Sequence, residues 1–233
     1  MYRLTLGRQA LRLGLLAALV VLALSACGEG GEGGGGEEQA DKPPTLPEDE
    51  KALRPGEYRT EEFKPSLSFK VSKGWSTAPP EASDVLELGW EEIGGLAFTD
   101  VQEVYKPTET GAPKVVELPN DLAGWFQHHP YLKTSQPEPV TVGVVKGVEF
   151  DVAVAEGLPE DHVSQCGTDC VDVFEQKFGH QVILFEGDKI HFIVLEDVEG
   201  ETVTIDYGGL ATDFDEVAPE AQKVVDSVKW GGS

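Results

Sequence analysis

Apolar and polar residues alternate along Leu67-Ser68-Phe69-Lys70-Val71, the period-two pattern of a half-buried strand. Lys73-Gly74 marks a turn after it, and Trp75 is expected to pack back onto the core. Residues 85–90 and 96–105 read as further strands with Gly94-Gly95 between them. Residues 140–145 and 148–154 flank Lys146-Gly147, which predicts a hairpin. In its second strand Val148, Phe150, Val152 and Val154 share one face, and Glu149 and Asp151 share the other. Residues 181–185 and 189–195 carry bulky apolar groups at consecutive positions, so both of their faces should be covered. Gly187-Asp188 supplies the turn joining them. Residues 202–207 return to simple alternation, and Tyr207-Gly208-Gly209-Leu210 is expected to reverse the chain.

Two stretches have helical spacing instead. Leu122, Trp125, Phe126 and His129 fall at i, i+3, i+4 and i+7, and Pro130 ends the run. Phe214, Val217, Ala218, Ala221, Val224, Val225 and Val228 form a second stripe. Asp213 is placed to cap that helix, with Glu216 three residues on. Pro219 predicts one turn, a kink, and then a main helix to Val228. Many strands with short turns and few helices imply an antiparallel sheet. Its two-sided centre must be covered on both faces, which predicts an α+β sandwich with helices on both sides.

The start of the chain follows different rules. Arg3, Arg8 and Arg12 precede a continuous apolar run, residues 13–24, and then the small residues Ser25 and Ala26. That is the layout of a secretory signal. The run is shorter than the roughly 20 residues of a spanning helix. Leu24-Ser25-Ala26-Cys27 resembles the lipobox of bacterial lipoproteins. The resemblance implies that Cys27 becomes the mature N-terminus and carries a thioether-linked diacylglycerol, often with a further acyl chain such as palmitate. Two or more chains suffice for stable anchoring. Residues 28–54 have no aromatic residue and are rich in Gly, Glu and Pro. Such a segment cannot bury enough apolar surface to order itself. The expected organisation is a signal peptide over 1–26, a lipidated Cys27 with a disordered tether over 27–57, and one domain over 58–233.

The formal charge of −24 excludes nucleic acid as a partner, because phosphate binding needs clustered Lys and Arg. It also argues against a polybasic contact with anionic lipid. The order of elements over residues 58–230 resembles the PsbP-like fold, in particular actinobacterial envelope lipoproteins that share it. The matching features are the Leu67–Val71 strand with Gly74-Trp75, the helix before Pro130, the central strands and the closing helix up to Trp230. The resemblance implies an α/β/α sandwich and a non-enzymatic surface or accessory role. It supplies no site residues.

Candidate chemistry is sparse. With Cys27 taken by lipid, Cys166 and Cys170 remain as an even pair. Outside the membrane they should be oxidised to a local disulfide pinning a loop. A redox dithiol is the sharper alternative, but no basic neighbour is evident to lower a thiol pKa, and Asp161, Asp169 and Asp172 would raise it. His128 and His129 are adjacent and point about 100° apart on a helix, so they cannot chelate together. His162, His180 and His191 lack ligand spacing with a cysteine. No calcium-loop pattern, nucleophile elbow or phosphate loop occurs, and Glu149 with Asp151 alone makes no glycosidase. No catalytic, metal or cofactor-binding residue is therefore assigned. The expectation is a lipid-anchored, extracytoplasmic envelope protein that binds or scaffolds an unknown envelope protein. The alternatives are a small-molecule binder with a pocket above the sheet and an extracytoplasmic hydrolase.

Overall fold

Phe192 and Ile193 are neighbours, both fully buried, yet they belong to two different apolar clusters. That split organises the molecule. An antiparallel sheet runs through its middle with a core on each face. The computed structural model describes residues 42–78, 81–107, 113–160, 162–176 and 181–231. The central sheet has the order β3 (Trp75–Thr77), β4 (Val85–Trp90), β5 (Gly94–Asp100), β14 (Glu201–Leu210), β13 (Asp188–Val198), β10 (Val145–Val154) and β8 (Leu132–Thr134). Strand β9 (Glu138–Val142) also pairs with β10.

A smaller sheet and a helix cover one face. The sheet is β1 (Gly56–Arg59), β2 (Leu67–Val71) and β15 (Lys229–Trp230), and the helix is α2 (Phe214–Val225). Phe69, Phe98, Ile193, Leu195 and Ile205 meet Val217, Ala221 and Val224 in that core. A four-stranded sheet covers the other face, in the order β12 (Gln181–Phe185), β11 (Cys170–Glu175), β6 (Glu103–Lys106) and β7 (Lys114–Glu117). The short helix α1 (Leu122–Gln127) plugs this second core with Phe126. The Phe126 ring centroid is 4.8 Å from Phe192, 5.4 Å from Phe150 and 5.7 Å from Phe174.

The α/β/α sandwich with helices on both faces is therefore overturned. Strand accounts for 51% of the described residues and helix for 10%, in three antiparallel sheets. The two-sided burial of residues 189–195 is real, but most of the cover is itself sheet. Four strands of the covering sheets, β1, β6, β7 and β15, escaped the pattern because they are two to four residues long. Alternation over so few residues carries little signal.

Several local expectations change for identifiable reasons. Residues 181–185 and 189–195 do not pair with each other; they enter different sheets. The 140–154 hairpin turns at Gly143-Val144, where Gly143 has φ +60°, and not at Lys146-Gly147. Gly147 instead lies within β10, where a Cβ would come within 2.2 Å of the Val194 carbonyl oxygen. Gly208 and Gly209 do not reverse the chain. They pair with Gly95 and Gly94 across β14 and β5. A Cβ on Gly94 would lie 2.6 Å from Val217 Cγ2, so this glycine patch lets α2 sit down on the sheet. Residues 96–105 break into β5 and β6 at Val101-Gln102, and the two pieces join different layers. Helix α2 runs unbroken through Pro219. The Asp213 side chain makes no capping hydrogen bond; it accepts one from Thr212 at 3.2 Å.

The fold also recruits residues 43–57, which composition assigned to the tether. Thr45 bridges Arg59 and Ala52 bridges Ser76. Leu53 donates to the Trp75 carbonyl at 2.8 Å, and Leu46 and Leu53 are buried in the first core. This strap closes the free edges of β1 and β3. The signal segment, Cys27 and the Gly-rich part of the tether lie outside the described residues.

Candidate functional site

Two polar clusters stand out against the cores. The first surrounds the two remaining cysteines. Cys166 and Cys170 lie at disulfide distance, with their Cα atoms 6.4 Å apart. The loop they close is internally braced. Ser164 and Gly167 exchange backbone hydrogen bonds at 2.9 and 3.2 Å, and Ser164 Oγ is 3.2 Å from Cys170 Sγ. His162 enters from the start of this loop, and its Nε2 is 2.8 Å from the Cys170 carbonyl oxygen. A carbonyl can only accept, so Nε2 carries a proton.

Asp172 stands next to this loop on β11, between the apolar residues Val171 and Val173. Its Oδ2 accepts the Gln165 N–H at 3.1 Å. His129 approaches from just beyond α1, and its Nδ1 accepts the Tyr131 N–H at 3.3 Å. Tyr131 sets its ring edge-on to His162 at 4.9 Å. Burial, and then the charge of His162, pushes His129 down to about 4, so it is neutral in the fold at physiological pH. Between these groups is a cleft of only about 10 Å³, lined by His129, Tyr131, His162, Asp172 and Tyr105. Tyr105 in turn donates to Glu175 and receives hydrogen bonds from the Gln165 and Gln181 side chains.

The second cluster lies on the sheet face that α2 covers only in part. Asp151, His191 and Tyr207 occupy one cross-strand row of β10, β13 and β14. His191 Nδ1 is 2.9 Å from Asp151 and its Nε2 is 3.3 Å from Glu149. Lys189 pairs with the other Asp151 oxygen at 3.1 Å and also lies 4.0 Å above the Phe214 ring. Burial alone would raise Asp151, but hydrogen bonds from His191 and Lys189 outweigh it and hold the carboxyl below its usual range. The Tyr207 ring stacks on His191 at 4.9 Å, and its hydroxyl donates to Gln222 on α2 at 2.7 Å. Burial, then the charges of Glu149, Asp151 and Asp226, raise Tyr207, so it stays a phenol and no nucleophile. Each partner in this row satisfies another, and the row fastens α2 to the sheet.

The structure thus brings Glu149, Asp151 and His191 together, and separately His129 and His162. His128 is exposed and bonds back to Gly124 through Nδ1 at 2.6 Å. His180 and Cys27 lie outside the described residues. Among the described residues no three His, Cys, Asp or Glu side chains converge to hold a metal ion. Tyr105 and Gln165 were missed in the sequence, and Asp172 was read there only as an acidic neighbour of the cysteines. The available signal was an aspartate inside Val171-Asp172-Val173-Phe174, a charged residue in a run that is otherwise buried. A third isolated feature is Asp206 on β14, whose Oδ1 is buried without a partner among the described residues. Burial pushes its carboxyl up to about 7.

The molecule's edges complete the picture. Strands β1 and β3 are closed by the strap, and β9 carries Pro139. All four residues of β7 are exposed, Val115 and Val116 among them, and among the described residues it pairs only with β6. A groove of about 290 Å³ begins where β7 ends, lined by Leu118, Pro119, Asn120, Leu122, Glu196 and Thr202. No family model matches the chain, and no curated protein matches it.

Proposed function

We propose that this is a lipid-anchored extracytoplasmic envelope protein whose β domain binds a protein partner without catalysis, by taking an extended partner segment onto the edge of β7. The anchor rests on the lipobox resemblance at Cys27. The binding mode rests on one observation: all four residues of the edge strand β7 are exposed, while the strap guards β1 and β3 and a proline lies on β9. Strand addition uses main-chain hydrogen bonds for affinity and side-chain pockets for specificity. The register defines which groups are available. Leu118 N–H bonds to the Gln102 carbonyl, so alternation turns the backbone groups of Val115 and Glu117 away from β6. The adjoining groove can take side chains of the same segment. The chain's net charge of −24 favours a partner segment that carries basic residues.

The test is cross-linking capture by the full-length lipidated protein in its own envelope, comparing wild type with Val115→Pro. Proline is tolerated at an outward-facing edge position but removes the N–H that a new strand needs. Loss of a specific cross-linked partner by tenfold or more, with an unchanged unfolding midpoint, is expected. Equal capture by both proteins would sink the β7 reading. A Cys27→Ser protein that still fractionates with membranes would sink the anchor separately.

A further inference from the structure

Strand β7 carries its charges in an order that its neighbour does not satisfy. In the β6–β7 register Lys106 stands directly opposite Lys114, and Glu103 directly opposite Glu117. The second row is longer, because Glu175 of β11 stands opposite Glu103. Like charges directly opposite each other destabilise a strand pair, and opposite charges stabilise it. Glu103, Lys106, Lys114 and Glu117 are all exposed, and among the described residues none of them forms a salt bridge. The two rows therefore reach the open edge as one positive and one negative charge, with Val115 and Val116 between them.

An added antiparallel strand continues both rows. Residues directly opposite in such a pair either both turn their backbone groups toward each other or both turn them away. The residue set against Glu117 must therefore offer its own N–H and C=O to β7, since Glu117 turns its groups outward. A second copy of β7 cannot meet that demand with its lysine, because alternation from Leu118 turns the backbone groups of Lys114 toward β6. The symmetric register that alternation does allow sets Val116 against Val116 and Glu117 against Val115, with no charge pair. A separate chain has no such restriction.

We propose that the β7 edge selects an antiparallel segment of another protein with the order basic, apolar, apolar, acidic from N- to C-terminus. The basic residue stands opposite Glu117, the apolar pair opposite Val116 and Val115, and the acidic residue opposite Lys114. This rests on the strand-addition reading of β7 and adds the direction and the sequence of what is bound. Residues before the basic one run past Leu118 towards the groove that holds Leu122 and Glu196.

Two fluorescent octapeptides of identical composition and net charge test the order, Ser-Thr-Lys-Val-Val-Glu-Thr-Ser and Ser-Thr-Glu-Val-Val-Lys-Thr-Ser. Their binding to the full-length lipidated protein in detergent is read by anisotropy. Wild type should prefer the lysine-first peptide by about fourfold or more, since two opposite-charge pairs replace two like-charge pairs. The double variant Lys114→Glu with Glu117→Lys should reverse the preference. Its unfolding midpoint should not fall, because it also removes the like-charge pairs with β6. Equal binding of the two peptides, or a glutamate-first preference in wild type, would overturn the proposal and leave strand addition standing where Val115→Pro abolishes that binding. Binding untouched by Val115→Pro would overturn the strand-addition reading and the proposal with it. Absence of binding by either peptide would overturn the proposal. So would a wild-type self-cross-link that Val115→Pro loses, which would give the edge to a second copy.

Discussion

Glu81 Oε1 accepts the Phe63 N–H at 2.7 Å, and the same oxygen accepts the N–H groups of Glu61 and Glu62, each at 2.9 Å. Three successive amides converging on one carboxylate oxygen form an anion nest occupied from within the chain. The nest fixes the turn that delivers Phe63, which is fully buried, into the first core. Hydrogen bonds to a charged acceptor are worth about 1.5–3 kcal/mol. Glu81→Ala should lower unfolding stability by about 2 kcal/mol in urea denaturation, and Glu81→Gln by less. A Glu81→Ala midpoint equal to wild type would show that the nest contributes nothing.

Gly147 illustrates a second constraint. Its missing Cβ makes room for the Val194 carbonyl oxygen, and Leu195 Cδ2 would also lie within 2.7 Å of a Cβ. The obstacle is backbone of a central strand, which cannot move aside as a flexible side chain would. Gly147→Ala should therefore destabilise the domain by about 1–3 kcal/mol, the range for overpacking. If Lys146-Gly147 were the turn, the same substitution at an open loop position would have little effect. Denaturant midpoints of Gly147→Ala and wild type decide between the two.

That glycine also shows what the sequence could and could not reveal. Strands β2, β4 and β10 were legible because apolar and polar residues largely alternate along them, whereas β14 was read only over residues 202–207 and is buried at every position from Val203 to Gly209. The apolar doubling in β13 correctly announced a layer on each side. Much of what covers those sides was not legible, since β1, β6 and β7 are too short to show a period, although β2, β12 and α2 of the covering layers were read. Glycine was ambiguous for a physical reason. Gly143 is needed for a positive φ, whereas Gly94, Gly147 and Gly209 make room for neighbouring chain within strands, and Gly208 (φ +151°) does both. Composition gives both kinds the same letter. His129, His162 and Asp172 come from three separate segments, so their shared cleft had no local signature. The Cys166–Cys170 pair was legible because spacing alone brings the two residues close.

Two buried titratable groups should oppose each other in the pH dependence of stability. His129 falls from 6.5 in the unfolded chain to about 4 in the fold. Its contribution is present above pH 6.5 and is lost as pH falls towards 4, because the unfolded chain binds the proton first. Asp206 rises from 3.8 to about 7. Its contribution is present at low pH and is lost as pH rises towards 7, because the folded state keeps the proton longer. Each effect is on the order of 3 kcal/mol across its window. Wild-type stability should therefore be nearly flat between about pH 4.5 and 6.5. Asp206→Asn should unmask a rise with pH, and His129→Asn a fall, in urea midpoints across that range. Parallel profiles for all three proteins would refute the assignment.

The strap makes the last prediction, since it locates where the tether ends. Leu53 is 6% exposed, and its N–H bonds to the Trp75 carbonyl at 2.8 Å. Thr77 N–H reaches the Lys51 carbonyl at 2.9 Å, and Thr77 Oγ1 donates to the Asp49 carbonyl at 2.8 Å. Arg59 N–H reaches the Pro44 carbonyl at 3.0 Å, which ties β1 to the same segment. Removing residues 1–42 should leave the unfolding midpoint unchanged, because none of these contacts is lost. Removing residues 1–57 strips Leu46 and Leu53 from the core, cuts β1 back to Tyr58-Arg59 and opens the edge of β3. Burial of a leucine is worth about 2–5 kcal/mol against alanine. The longer deletion should therefore unfold at markedly lower denaturant and aggregate through the freed edges. Leu53→Ala in the full chain should lose about 2–3 kcal/mol without the aggregation, because the main-chain bonds still cover β3. Equal midpoints for the two deletions would return residues 43–57 to the tether.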